Sequence, residues 1–257
     1  LTTQNLKFSL NIVTTMTSNS YKLSRSTVKS NIAVWGLARG KTTIVYVEYL
    51  KLIHPDVEPS RWRFLNEPFS RIRTEPDLYA YEDLYRLLRR NPVVVKHHLQ
   101  HTQHMSDEDL SYFKSDYDNI LVYTSDWFDM LTSFCLAIQT NEWQVTQAKT
   151  EGLEEYTGKS AVINVLDLAK TNELFKDFLT HTPDIQWNKV YNVDDLYVDS
   201  WFSKQKPHSE TIINYDNLRE HYNNTFDTTW QIGDWKLTDG KLSYPDSELV
   251  KVIQQYK

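Results

Sequence analysis

Apolar residues in this chain fall in short clusters rather than long runs. Asn31–Trp35 (NIAVW), Val93–Lys96 (VVVK) and Ile120–Thr124 (ILVYT) are brief, rich in β-branched side chains and apolar at consecutive positions. A strand covered on both faces has no wet side to alternate with, so such runs read as buried strands. Between them the spacing turns helical. Thr42–Leu52 reads as an amphipathic helix, and Pro76–Arg90 as a helix opened by its proline. Ser106–Lys114 reads as a short helix whose SDED opening suits the positive end of the helix dipole. Further helices are expected from Asp126 to about Thr140 and over roughly Ala161–Thr180. Short strands alternating with helices predict an α/β fold: a parallel sheet with helices on both faces.

The two ends read differently. Leu6, Phe8, Leu10 and Ile12 alternate, as an added edge strand or ordered arm within an N-terminal extension (1–30) would. Near the other end, Trp230–Lys236 and Lys241–Tyr244 flank Thr238-Asp239-Gly240, a hairpin turn, before a last helix near Asp246–Gln255. Residues 226–257 thus read as a hairpin and helix closing one domain, 1–257. Neither an internal repeat nor a low-complexity linker argues for a second.

Composition narrows the function classes. A chain of 257 residues, 40% hydrophobic and 24% charged, can bury one sizeable core. No run of eighteen apolar residues occurs, so no membrane span is expected. The opening LTTQNLKFSLNIVTTMTSNS has neither the basic start nor the apolar centre of a signal peptide. The single Cys135 excludes internal disulfides and fits a reducing compartment, so a cytoplasmic location is expected. A net charge of −6 argues against broad nucleic-acid binding, although a local anion site can still be built from backbone N–H groups and a few cations.

Only six glycines occur, and two of them stand in WGLARGKTT, 35–43. The segment leaves a predicted strand and opens a predicted helix, the context a phosphate-binding loop requires. Gly36 and Gly40 would permit a tight turn and close approach of an anion. Arg39 and Lys41 supply charge, and Thr42 and Thr43 supply hydroxyls. The pattern is not a Walker A, because three residues rather than four separate the glycines.

Half of the eight histidines lie in VVVKHHLQHTQH, 93–104. His97, His98, His101 and His104 include spacings that share a helix face, with Asp107 and Asp109 following. A metal site would also need converging geometry, so a solvated loop and a catalytic base stand as alternatives.

Gly36-Leu37-Ala38-Arg39-Gly40-Lys41-Thr42-Thr43 resembles the 5′-phosphosulfate loop of sulfotransferases, whose core reads Pro-Lys/Arg-Ser-Gly-Thr-Thr. Arg39 falls on the basic residue and Thr42-Thr43 on the paired threonines, while Ala38, Gly40 and Lys41 depart. The cytosolic branch of that family carries Lys-Thr/Ser-His-Leu-Pro after its next core strand. Here Lys96-His97-His98-Leu99-Gln100 keeps the Lys, His and Leu. The family's 3′-phosphate motif, Arg-Asp-Pro-x-Asp-x-x-x-Ser, is similar to Ser125-Asp126-Trp127-Phe128-Asp129-Met130-Leu131-Thr132-Ser133 in the spacing of Asp126, Asp129 and Ser133, but Ser125 stands in place of the arginine. Ile213–Leu218 resembles a strand ending in Tyr-Glu-Asp-Leu. Gly233-Asp234-Trp235-Lys236 repeats a C-terminal tetrapeptide, although the Arg-Lys-Gly before it falls on Thr228-Thr229-Trp230.

The resemblance covers residues 31–136 in order and implies a divergent, P-loop sulfotransferase-like fold. It implies 3′-phosphoadenosine 5′-phosphosulfate (PAPS) as donor and the bisphosphate (PAP) as product. Gly36, Arg39, Gly40, Lys41, Thr42, Thr43, Ser125 and Ser133 would hold that cofactor, with no metal. Transfer would be to a hydroxyl or amine of a small-molecule or carbohydrate acceptor. His98 would serve as general base and Lys96 would offset charge on the sulfuryl oxygens, with Arg39 at the leaving phosphate. Glu67, in the loop Asn66-Glu67-Pro68-Phe69, is the second candidate base. Trp62, Phe64, Phe69, Tyr79, Tyr81 and Tyr85 would line an acceptor cleft or fill a core.

Two rivals stand beside this. A P-loop kinase or NTPase, suggested by Gly40-Lys41-Thr42, would need a magnesium-holding aspartate such as Asp126 or Asp167. A sulfotransferase-like binding protein that has lost catalysis is suggested by the absent arginine.

Overall fold

Asn31–Gly36 (β1) is buried along its whole length because it lies between two parallel neighbours, Val93–His98 (β2) and Asp118–Tyr123 (β3). The computed structural model describes residues 31–53, 67, 93–141, 160–194, 197–198, 208–249 and 252–253. Lys189–Asn192 (β4) extends the sheet beside β3, giving the parallel order β2-β1-β3-β4. The expected edge strand at 1–30, the helix at Pro76–Arg90 and the aromatics between Trp62 and Tyr85 lie outside the described residues.

Helices cover both faces, and the two-residue period of the strands assigns each side chain to one of them. Ile32, Val34, Val94, Ile120 and Val122 face Thr42–Ile53 (α1), packing on Ile44, Val45, Tyr46, Tyr49 and Leu50. Ala33, Trp35, Val93, Val95, Leu121 and Tyr123 face the other way. There they meet Asp107–Asp116 (α2), Trp127–Thr140 (α3) and Val165–Thr180 (α4). Each of these three helices starts on a side-chain cap. Ser106 and Asp109 form a reciprocal capping box, Asp126 accepts from the Asp129 N–H, and Asn164 accepts from the Leu166 N–H. The long helix therefore begins at Val165 rather than Ala161, which instead bridges Ile212.

The C-terminal part departs from expectation in three ways. Trp230–Lys236 is not one strand: Gly233, at φ 57°, turns the chain between Trp230–Ile232 and Trp235–Thr238. With Lys241–Ser243 these form a three-stranded meander, its second turn made by Asp239 and Gly240 at φ 51° and 74°. The expected helix at 246–255 is replaced by Glu248–Leu249, which pairs with the outer edge of β4, and by Val252–Ile253, which pairs with Tyr197–Val198. An open strand edge needs hydrogen-bond partners, and that demand overrides the helical pattern. Ile213–Leu218 is not a strand either. His208–Thr211 is a single helical turn, and Tyr215 opens the helix Tyr215–Thr225.

The aromatic residues mostly hold the core. Trp35 lies edge-on to Phe113 at 5.2 Å and tilted over His97 at 4.5 Å, while its Nε1 donates to Asn119 at 2.9 Å. His97 is fully enclosed there, which removes it from the candidate metal cluster. Among the described residues no three His, Cys, Asp or Glu side chains converge as a metal-binding group. None of the described helices is long and apolar enough to cross a membrane.

Burial pushes the His97 pKa well below its ordinary 6.5, with charge on His101 and His98 adding to the effect. A depressed folded-state value means the stability contribution is whole above pH 6.5 and is lost as pH falls. In chemical denaturation across pH 5–7, this group should remove up to about 1.4 kcal/mol per pH unit below 6.5. His97→Phe should flatten that slope, and an unchanged slope would refute the assignment.

Candidate functional site

Because β1, β2, β3 and β4 run parallel, their carboxyl ends emerge on one side of the sheet, where ligands of open α/β folds sit. The loop from β1 to α1 lies there. Its glycines serve close approach rather than turning. A Cβ on Gly36 would stand 2.3 Å from both the Val122 carbonyl oxygen and Thr42 Cγ2, and one on Gly40 would stand 3.0 Å from the Leu37 oxygen. The turn itself is made by Arg39 and Lys41, at φ 67° and 60°, an uncommon left-handed conformation for residues with a Cβ. Consecutive turns of this kind aim backbone N–H groups into a concavity suited to an anion.

The two cations of the loop reach in different directions. The Arg39 side chain crosses to α3, where its Nε donates to Ser133 Oγ at 2.8 Å. Burial lowers the pKa of this guanidinium from its ordinary value, as expected where water is scarce. Lys41 turns to β4: its Nζ donates to the Val193 and Asp194 carbonyls at 3.3 and 3.0 Å. That side chain ties the loop to the sheet. Thr42, 2% exposed, packs inward against Gly36. Thr43 receives a hydrogen bond on Oγ1 from Lys96 Nζ at 2.8 Å.

Lys96 and His98 share a face of β2, two residues apart, and one carboxylate oxygen joins them. Glu67 Oε1 lies 2.7 Å from Lys96 Nζ and 2.7 Å from His98 Nε2. Glu67 is itself docked on the strand, its N–H donating to the Lys96 carbonyl at 2.9 Å with φ 61°. Lys96 is only 2% exposed, and a buried ammonium persists only where it is paired. Burial would raise the Glu67 carboxyl, but the charges and hydrogen bonds of His98 and Lys96 prevail and hold it far below the ordinary range. The sequence treats Glu67 and His98 as alternatives, whereas the structure makes them partners.

Ser125 has a different neighbour from the one expected. Its hydroxyl and N–H both donate to the Asp194 carboxylate, and Thr124 Oγ1 donates to the same group at 2.7 Å. Burial raises the Asp194 pKa, yet these donors and the charge of Lys41 outweigh it, and the carboxyl titrates below its ordinary range. Sequence reasoning missed Asp194. Its signal was the acidic pair Asp194-Asp195 directly after Val190-Tyr191-Asn192-Val193.

The magnesium carboxylates of the NTPase rival find no support. Asp126 caps α3 and accepts from Lys241 at 3.0 Å. Asp167 stands in the first turn of α4, not at a strand end. His101 is half-buried beside His98, with ring centroids 5.3 Å apart, rather than a surface residue.

The close approach at Gly36 makes a direct prediction. Gly36→Ala should cost about 3 kcal/mol in urea unfolding, because the new methyl meets a strand carbonyl that cannot withdraw. A cost below about 1 kcal/mol would mean that α1 does not seat against β1 in this way. No protein-family model, curated protein or solved structure matches the chain.

Proposed function

We propose that this chain transfers a sulfuryl group from PAPS to a hydroxyl or amine acceptor, on a divergent P-loop sulfotransferase-like fold. One observation carries the reading. Three sequence segments that resemble separate family motifs meet through side chains at the carboxyl edge of the sheet. Arg39 of the loop meets Ser133 of α3, and Lys96 of β2 meets Thr43 of α1 while sharing Glu67 with His98.

In this reading the acceptor oxygen or nitrogen attacks sulfur in line. The bond from sulfur to the 5′-phosphate oxygen breaks, its electron pair leaves on that phosphate, and the acceptor's proton passes to His98. The protein supplies alignment and fixed charge and needs no metal for this step. Lys96 lies beside the loop hydroxyl of Thr43, suited to the charge on the sulfuryl oxygens.

The family's motif has an arginine at the position of Ser125, and its guanidinium would hold the 3′-phosphate. Here Arg39, expected at the leaving phosphate, instead carries its guanidinium to Ser133, the other member of that motif, where it would hold the 3′-phosphate. The sequence after β4 also offers a better counterpart of Tyr-Glu-Asp-Leu than Ile213–Leu218 does: Lys189–Asn192 is followed in the chain by Val193-Asp194-Asp195-Leu196.

Calorimetric titration with adenosine 3′,5′-bisphosphate, beside AMP and ATP-Mg²⁺, tests the reading. Selective binding of the bisphosphate is expected. Ser133→Ala and Arg39→Gln should each weaken it about tenfold or more, with a smaller effect of Ser133→Ala on AMP. Preference for ATP-Mg²⁺ would move the chain to the kinase and NTPase class. Binding of none of the three would leave a fold kept for another purpose. With PAPS and an acceptor, His98→Ala should abolish transfer and leave bisphosphate binding intact.

A further inference from the structure

The three groups at the end of β2 contain an asymmetry. Glu67 Oε1 accepts from Lys96, whose ammonium can only donate, and the same oxygen faces His98 Nε2 at 2.7 Å. A carboxylate in that position obliges Nε2 to carry the hydrogen. The other ring nitrogen is different: His98 Nδ1 is buried and makes no hydrogen bond among the described residues, on a residue only 7% exposed.

Both protonation states of that nitrogen carry a cost. An imidazolium would bury an N–H with no acceptor, and the neutral ring buries a lone pair with no donor. The unsatisfied group costs about 1–3 kcal/mol when neutral and more when charged. The lone pair of the neutral ring is a buried acceptor for an incoming donor.

We propose that Glu67 is a positioning residue which fixes His98 in the Nε2–H tautomer, so that Nδ1 is the atom that seats and deprotonates the acceptor's hydroxyl or amine. The proposal rests on the sulfuryl-transfer reading for the identity of that acceptor, but the tautomer follows from the geometry alone. Once Nδ1 takes the proton, the ring carries a positive charge that the Glu67 carboxylate already faces. Among the described residues, the other titratable groups around the ring are Lys96, His97 and His101, all of which oppose that charge when protonated. Glu67 is therefore the group that makes proton uptake favourable. The site accordingly selects acceptors with an O–H or N–H to give, and ethers or tertiary amines of the same shape should leave Nδ1 unsatisfied.

The test is ¹⁵N NMR of the full chain labelled at histidine, near neutral pH, with and without adenosine 3′,5′-bisphosphate. The His98 signals are assigned by their loss in His98→Gln, or in His98→Asn should the first not fold. The expected result is a pyrrole-like Nε2 and a pyridine-like Nδ1. Glu67→Gln, whose amide can donate as well as accept, should shift the tautomer ratio by tenfold or more. Glu67→Asp should restore most of it. A merely structural role for Glu67 would leave the ratio unchanged, and a pyridine-like Nε2 in the wild-type chain would likewise overturn the inference. The nucleotide arm separates the two readings. The expected tautomer with no response to the bisphosphate supports the Glu67–His98 pair and removes sulfuryl transfer as its purpose.

Discussion

The candidate site depends on how closely β1 approaches its surroundings at Gly36. There the last residue of the central strand faces His98 on one side and Val122 on the other, while Thr42 at the start of α1 presses from above. No side chain fits in that space. The helix can therefore start directly over the strand end, which puts Thr43 within reach of Lys96 and leaves Arg39 and Lys41 on a short, tightly wound loop. A larger residue at 36 would lift α1 and separate every pair that makes the site. The conformational cost at Arg39 and Lys41 is offset by what they reach: a hydroxyl on α3 and two carbonyls beyond β4.

The charges at the sheet's edge form two separate balances. On the β2 side, Lys96 and His98 share Glu67, so a nearly buried ammonium is neutralised by one carboxylate that also orients an imidazole. Removing either end of such a pair strands the other charge, which costs more than the pair itself contributes. On the β4 side, Asp194 is held by three donors from Thr124 and Ser125, with Lys41 attached to its backbone rather than to its carboxylate. Between these two balances Arg39 extends across the loop to Ser133 on α3.

The strands and the loop were legible in the sequence because both are local. NIAVW, VVVK and ILVYT are apolar without alternation, which only a doubly covered strand permits, and two glycines in a glycine-poor chain marked where backbone must approach backbone. Asp126 was legible as a cap for the same reason. What the sequence hid depends on partners far away along the chain. Glu67 looks like a surface residue beside a proline until β2 brings Lys96 and His98 to it. Glu248–Leu249 has a helical pattern until the exposed edge of β4 claims its backbone. Even the loop was read with its roles exchanged, since the glycines give way to packing while the charged residues make the turn.

Position 125 brings these threads together. An arginine there would stand where Ser125 now stands, with the Asp194 carboxylate within hydrogen-bonding reach of both its backbone and its side chain. A guanidinium beside that carboxylate would pair with it and have little charge left for a phosphate. Serine instead gives Asp194 two of its hydrogen bonds, and the guanidinium beside Ser133 comes from Arg39. In the sulfotransferase-like reading proposed above, serine at 125 and the path of Arg39 would be two parts of one rearrangement, with the guanidinium near Ser133 supplied by a different element. A motif read residue by residue shows no arginine at 125, whereas the folded edge of the sheet brings a guanidinium to Ser133 from more than ninety residues earlier in the chain (133−39).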